Sequence, residues 1–333
     1  MIALTNSRIG TFMTCPQKHE YQHTQGRVPI RTAEALSFGR LWHKLMEAWW
    51  APEHNGKASQ FRLLAAESAM DLTIDPFDIE KLRMMLAGYT ARWGDEPIET
   101  VAVELPFVMP LCDPDTGDES EFWTLEGTID KIVRKDGKLY IVEHKTSGDD
   151  ASPGSDYWRR LAIDTQISIY YDGARKAGYD VVGCIYDVVQ KPQQRPLKAT
   201  PEEARKYTKT GALYANQRNE DETPTAYGTR IFEAMSENVN DYFVRGEVAR
   251  LDAAIMRARS DVWEIAWTMQ TQMEFGMAPR NTRACRTPGG GLCEYFDVCA
   301  GAAELSDPVR FKDTDYRPTK KLAMVGADTE LGF

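Results

Sequence analysis

The stretch from Trp123 to Ser147, WTLEGTIDKIVRKDGKLYIVEHKTS, decides how the rest of the chain is read. Two runs rich in β-formers flank Asp136-Gly137, and Asp-Gly between apolar runs is a strong signal for a two-residue type I′ hairpin. That turn fixes a register in which Lys135 pairs with Lys138, Ile132 with Ile141, Asp130 with Glu143 and Thr128 with Lys145. Cross-strand partners have Cβ atoms about 4.5 to 5.5 Å apart, and residues two apart share a face, which brings Lys145 to both carboxylates. A solvated sheet face is the ordinary setting for such residues. Here, though, two like charges would oppose each other and destabilise the pair, whereas a hard divalent cation such as Mg2+ would be held by both. An ammonium two residues from a metal ligand can orient an attacking water. The chemistry is that of phosphodiester hydrolysis.

A chain of 333 residues accommodates one large domain or two ordinary ones, and 42% hydrophobic with 27% charged residues is usual for a soluble globular protein. No apolar run approaches the roughly 18 residues of a membrane span, and no secretion signal is recognisable. The expectation is a cytoplasmic protein without a membrane partner. A net charge of -10 argues against non-specific coating of nucleic acid, yet an enzyme needs only a local basic track. Candidates are Arg159-Arg160, the stretch from Lys191 to Lys209, and Arg280, Arg283 and Arg286.

Taken in order, Ser7 is a reasonable N-cap for a short helix that Cys15-Pro16 ends. In SFGRLWHKLMEAWW, Leu41, Leu45 and Ala48 mark one helical face, with Gly39 and His43 four apart on the adjacent stripe. Helical patterns over 57–70 and 76–93 form a wall within residues 57–95, and residues 98–190 hold a strand, the hairpin, a helix over 157–176 and a strand over 180–190. That last strand is entered from a helix, as expected of a parallel neighbour of the hairpin. Gln166 and Tyr170 lie one turn apart on the 157–176 helix. A basic helical stretch follows Pro201, then a helix over 230–238, a short strand over 241–245 and a long helix over 250–274. From Ser306 the tail is polar and little patterned, which suggests a loosely ordered end.

Cys285, Cys293 and Cys299 form C-x7-C-x5-C around a Pro-Gly-Gly-Gly turn within residues 280–300. Without a secretion signal, structural disulfides are improbable, which leaves a metal. Three thiolates need a fourth ligand, and Cys15, followed by Pro, is the outstanding candidate. Zinc accepts four thiolates, but its structural sites usually use C-x2-C knuckles that this chain lacks; an iron-sulfur cluster tolerates wider spacings.

Cys15-Pro16, Gly39-x3-His43, the Asp130 and Glu143-x-Lys145 hairpin, Gln166-x3-Tyr170 and three late cysteines follow one another in the serial order of a known family. The chain resembles the PD-(D/E)XK nuclease superfamily, and within it the RecB-type exonucleases with an iron-sulfur staple, a group including the AddB nuclease domain and the CRISPR-adaptation exonucleases. The resemblance implies that Asp130, Glu143, His43 and the His144 carbonyl are ligands of Mg2+ or Mn2+. It implies that Lys145 positions the attacking water and that Gln166 and Tyr170 line the site or touch DNA. It also implies that Cys15, Cys285, Cys293 and Cys299 hold a 4Fe-4S cluster tying the two ends of the chain together. The first gap of seven with three glycines departs from the family's usual C-x2-C-x5-C, and no G-x-x-x-x-G-K-[ST] motif is present, so a stand-alone nuclease is expected.

The reading is one α/β domain over residues 1–305, with a mixed central sheet flanked by helices, a cluster clasping its ends and a tail over 306–333. Its expected activity is metal-dependent DNA exonucleolysis on single strands or ends, in recombination, repair or replication, with DNA and a recombination or replication protein as partners. Phage and CRISPR-associated stand-alone nucleases are the relatives in view. Two alternatives stand beside it: a DNA-binding accessory protein with an inactive site, and a redox sensor built on the cluster.

Overall fold

The structure, a computed structural model, describes residues 1–30, 34–287 and 291–314. In chain order its elements are β1 (Ile2–Leu4), α1 (Asn6–Thr14), α2 (Pro16–His19), β2 (Arg27–Pro29), α3 (Glu34–Trp49), α4 (Ser59–Ser68), α5 (Pro76–Trp93) and β3 (Glu99–Cys112). There follow β4 (Glu119–Lys135), β5 (Lys138–Ser147), α6 (Asp156–Leu161), α7 (Thr165–Lys176), β6 (Val181–Gln190), α8 (Pro224–Glu237), α9 (Val239–Tyr242), β7 (Phe243–Val248), α10 (Asp252–Glu274), α11 (Phe296–Cys299) and β8 (Phe311–Asp313).

The hairpin forms as its turn chemistry requires. Asp136 and Gly137 have φ of 50° and 76°, the two positive values of a type I′ turn, and the ladder runs from Lys135↔Lys138 through Ile132↔Ile141. Around it the sheet is mixed, in the order β1-β4-β5-β6-β7 with β3 on the other edge of β4. β6 is parallel to β5, as its helical entry implied, and β7 closes the edge antiparallel to β6. Helices cover both faces. Buried residues of β4 to β6 pack against α1, α7 and α10 on one side, and the tryptophan-rich α3 packs with α4, α5 and α8 on the other. The α/β class with a mixed sheet between helices is therefore as expected.

Several local expectations are corrected. Thr5, not Ser7, caps α1: its hydroxyl accepts from Arg8 N–H at 3.1 Å. The helix expected over 157–176 is two helices, because Asp164 caps a new start by accepting from Gln166 N–H at 2.9 Å. The basic stretch after Pro201 is a short 3-10 turn over Glu202–Ala204 followed by a small hairpin in which Tyr207 pairs with Leu213. The tail is not loose from its start. β8 pairs with β2, and Phe311 is buried with its ring stacked 5.4 Å from that of Tyr295. The rest of the expected tail, 315–333, lies outside the described residues.

Candidate active site

The β4–β5 ladder ends at Lys131↔Val142, and farther along the same edge β4 pairs instead with β1, from Ile2↔Trp123 to Leu4↔Leu125. Residues 126–130 thus lie in a fork where β5 has left and β1 has not yet arrived. Asp130 sits in that fork and is not a laddered partner of Glu143, nor Thr128 of Lys145, as the simple register expected. Its Oδ2 takes over the missing acceptor role, receiving the His144 N–H at 2.8 Å, and it lies 3.3 Å from His43 Nδ1 on α3.

Glu143, Lys145, Gln166 and Tyr170 interlock. Lys145 Nζ donates to Glu143 Oε1 at 2.6 Å and to Gln166 Oε1 at 3.0 Å. Gln166 Nε2 donates to Glu143 Oε1 at 2.8 Å and to the Tyr170 hydroxyl at 2.9 Å. Each carboxylate has a separate partner, Lys145 for Glu143 and His43 for Asp130, while some repulsion between the two persists. Glu143 is almost fully buried, and its second oxygen, Oε2, has no hydrogen-bond partner. A buried carboxylate oxygen without a partner is costly. It has the chemistry of a cation ligand.

The placement of Gln166 and Tyr170 follows from α7. Asp164 fixes the helix start twice, capping Gln166 N–H through Oδ1 and accepting from the Tyr186 hydroxyl at 2.9 Å through Oδ2. Lower down, the Phe107 ring fills a slot between Gly127 and Gly173; a Cβ on either glycine would come within 2.6 Å of that ring. The glycines let α7 approach the sheet closely enough for its side chains to reach Glu143.

Charge follows geometry. Burial, with Asp130 as second cause, pushes Glu143 up to about 7. For Asp130 burial also acts upward but is outweighed by His43 and His144, leaving its carboxyl below the usual range. Burial works against the charged forms of His43 and Lys145 too, and in each case the neighbouring carboxylate prevails and raises the value. The site at neutral pH therefore holds an ionised Asp130, a Glu143 poised to lose its proton and an ammonium beside it.

Three contributors had weaker signals and a fourth had none. Gly127 and Gly173 could have been suspected from glycine inside regular elements. Asp164 offered an ordinary N-cap signature, masked because the apolar pattern continues across it. Glu104 lies between the pairs Val103↔Lys131 and Leu105↔Ile129, alongside Asp130, with a φ of 45°; partial burial and Asp130 raise its carboxyl. Nothing local in the sequence marks it. Behind the site, the side chain of His144 is buried 3.4 Å from Asp187, which also accepts from Arg245 at 3.0 Å and from the Tyr89 hydroxyl.

The four cysteines of the expected cluster line one cavity of about 340 Å³ between the chain's two ends. The ends are joined there by hydrogen bonds: Asn281 Nδ2 to Thr14 O at 2.9 Å, Gln17 N–H to Pro279 O at 3.3 Å, and Lys18 to Glu294 at 2.8 Å. The four thiols are free. Among the described residues, no group of three or more His, Cys, Asp or Glu side chains is drawn closely enough together to hold a metal ion, here or at the fork. Burial raises the Cys293 and Cys299 thiols, so a metal would have to displace their protons. Cys184 is in the core, and Cys112 stands apart beside a different cavity of about 500 Å³.

Among the described residues, no helix is long and apolar enough to cross a membrane. Comparison with curated proteins yields no match. Among solved structures the chain is similar to the one titled "Crystal structure of SSO0001", at 15% identity and a TM-score of 0.27, covering 66% of this chain and 74% of that one. The sequence profile of the PD-(D/E)XK nuclease superfamily matches residues 3–300, spanning the fork, the hairpin, α7 and the late cysteines, and the chain belongs to that superfamily.

Proposed function

We propose that this chain is a divalent-metal-dependent deoxyribonuclease, exonucleolytic on single strands or DNA ends, working in recombination, repair or replication. The observation that carries the reading is Glu143: a buried carboxylate with one oxygen engaged by Lys145 and Gln166 and the other unpartnered, near Asp130. Asp130, Glu143 and the His144 carbonyl, with His43, would hold Mg2+ or Mn2+. When bound, such an ion polarises the phosphoryl oxygen and lowers the pKa of water.

The chain's own residues supply the rest. Lys145 keeps an ammonium 2.6 Å from Glu143, placed to orient an attacking water and to stabilise charge developing on the phosphate. Gln166 holds Lys145 and Glu143 in register through both ends of its amide. Burial raises the Tyr170 hydroxyl far above its ordinary value, so it stays a neutral donor at the edge of the site. The test is digestion of end-labelled single- and double-stranded DNA with Mg2+ and with Mn2+. Products from the ends in metal and none with chelator are expected. Binding without cleavage of either form would establish the accessory reading instead.

We further infer that the four cysteines hold a 4Fe-4S cluster that clasps the ends. Support comes from the donor set, four thiols on a single cavity, a soft set suited to iron-sulfur chemistry. Iron and sulfide analysis of anaerobically purified protein tests it; stoichiometric zinc would keep the clasp and reject iron. If DNA affinity or cleavage tracked the cluster's oxidation state, the redox-sensing reading would gain ground.

A further inference from the structure

Resting on the nuclease reading, we propose that the small hairpin of residues 205–218 is a single-stranded DNA guide, which takes the strand through an exposed tyrosine–lysine face and delivers it along residues 191–197 to the fork. From Arg205 to Arg218 the sequence is RKYTKTGALYANQR: four cations and no acid, in a chain whose net charge is -10. That local sign suits a phosphodiester backbone. Tyr207 and Tyr214 are 56% and 46% exposed, large rings left in water where burial would ordinarily claim them. Tyr214 N–H donates to Lys206 O at 3.1 Å, so this tyrosine and this lysine are cross-strand neighbours, one offering a ring to a base and the other an ammonium to the adjoining phosphate.

The hairpin is built. Thr208 N–H donates to Ala212 O at 2.7 Å, and Gly211 turns the chain with a φ of 82°. At the base the Gln217 side chain accepts from Lys206 N–H at 2.6 Å and donates to Ala204 O at 3.0 Å, and Arg205 binds Thr200 O at 2.9 Å and Asn219 O at 3.2 Å. Arg205 is thus a structural clasp, while Lys206 and Lys209 are exposed. Of the flanking acids, Glu202 lies 3.8 Å from Arg205, Asp221 pairs with Lys198 and Glu222 with Arg230, while Glu203 and Glu220 are exposed; among the described residues no carboxylate pairs with Lys206 or Lys209.

Continuity with the site comes from the preceding strap. Lys191 N–H donates to Ser147 O at 2.7 Å, at the end of the strand that carries Glu143 and Lys145. The strap is then fastened to α8 and the turn before it: the Tyr227 hydroxyl donates to Gln194 O at 2.9 Å, Arg230 donates to Arg195 O at 3.0 Å, and Leu197 N–H donates to Glu222 at 2.9 Å. It forms a fixed path leading from the fork's edge to the base of the hairpin.

The test uses the full chain and two labelled oligothymidylates, one of about thirty nucleotides that can reach both fork and hairpin and one of about four that can occupy the fork alone. Binding is read by fluorescence anisotropy with chelator over a salt series, and cleavage separately with Mn2+. Lys206→Glu with Tyr214→Ala should weaken long-strand binding roughly tenfold or more and flatten its salt dependence, leaving cleavage of the short strand and the melting temperature unchanged. Tyr214→Phe keeps the ring and should bind as wild type. Wild-type affinity and salt slope in the Lys206→Glu, Tyr214→Ala protein would overturn the proposal. If the wild type binds the long strand but cleaves neither, the nuclease reading fails while the binding arm still decides the guide.

Discussion

Glu143 Oε1 accepts from two neighbours at 2.6 and 2.8 Å, whereas the Cys15 sulfur accepts from Asn281 N–H at 3.4 Å. The two candidate metal-binding regions of the chain are organised in opposite ways. At the fork, side chains from α3, β4, β5 and α7 hold one another, and one buried oxygen of Glu143 is left over. Around the cysteines, backbone and peripheral pairs bring the two ends of the chain together while the thiols remain apart. A site of the first kind is preorganised by folding and needs its ion for chemistry. One of the second kind is roughed out by folding and needs its ligand for stability.

The largest expected effect is on activity. Lys145→Ala should lower cleavage on the order of a thousandfold or more, in the range for removing a positioned acid-base group, with DNA affinity nearly intact; near wild-type turnover in Mg2+ would remove Lys145 from the chemistry. Next comes stability at the other region. Cys15 and Cys285 are 270 residues apart in sequence, and closing so long a loop is worth up to about 5 kcal/mol. Each of Cys15→Ala, Cys285→Ala, Cys293→Ala and Cys299→Ala should therefore lose iron and melt well below wild type, while Cys112→Ala keeps its iron. Iron retained in Cys15→Ala would reject the clasp.

Smaller effects probe what holds the fork. Gly173→Ala places a methyl against the Phe107 ring, and overpacking of this kind costs about 1 to 3 kcal/mol. By pushing α7 away it should reduce turnover more than DNA binding; unchanged kinetics would mean that α7 does not position Gln166. The smallest is the pH response of metal binding. Glu143 is raised to about 7 while Asp130 stays below the usual range, so binding an ion must expel the Glu143 proton once the pH falls below about 7. The affinity for Mn2+, measured by calorimetry at pH 8 and pH 6, should be the weaker at pH 6; equal affinities would place Glu143 outside the ion's reach. The same raised value has a consequence for the metal-free protein, since it favours the protonated acid in the fold. This contribution to stability is full below the unfolded value near 4.5 and is lost as the pH rises through about 7.

What the sequence displayed was local. Asp136-Gly137 determines its turn chemically, and Ile132↔Ile141 follows by counting; Gln166 and Tyr170 meet because they are one helical turn apart. Non-local pairings left no comparable trace. β1 is three residues long and joins β4 more than a hundred positions away, and without it the fork that frees Asp130 from the ladder is invisible. Phe311 looked like part of a polar tail because its partners, Tyr295 and β2, are remote in sequence. At 201–218 the helix-forming residues Glu, Ala, Arg and Lys suggested a helix, but Thr200, Thr208 and Gln217 bind backbone groups in the turn and hairpin instead.

The account stands on the cation site at the fork being separate from the cysteine cavity, and titration calorimetry with Mn2+ on three proteins addresses that directly. Wild type and Cys285→Ala should both bind the ion with similar affinity, the second after correction for its folded fraction, and Asp130→Ala, likewise corrected because the His144 N–H loses its acceptor, should lose that binding. Undiminished Mn2+ binding in Asp130→Ala, or its disappearance in folded Cys285→Ala, would contradict the assignment.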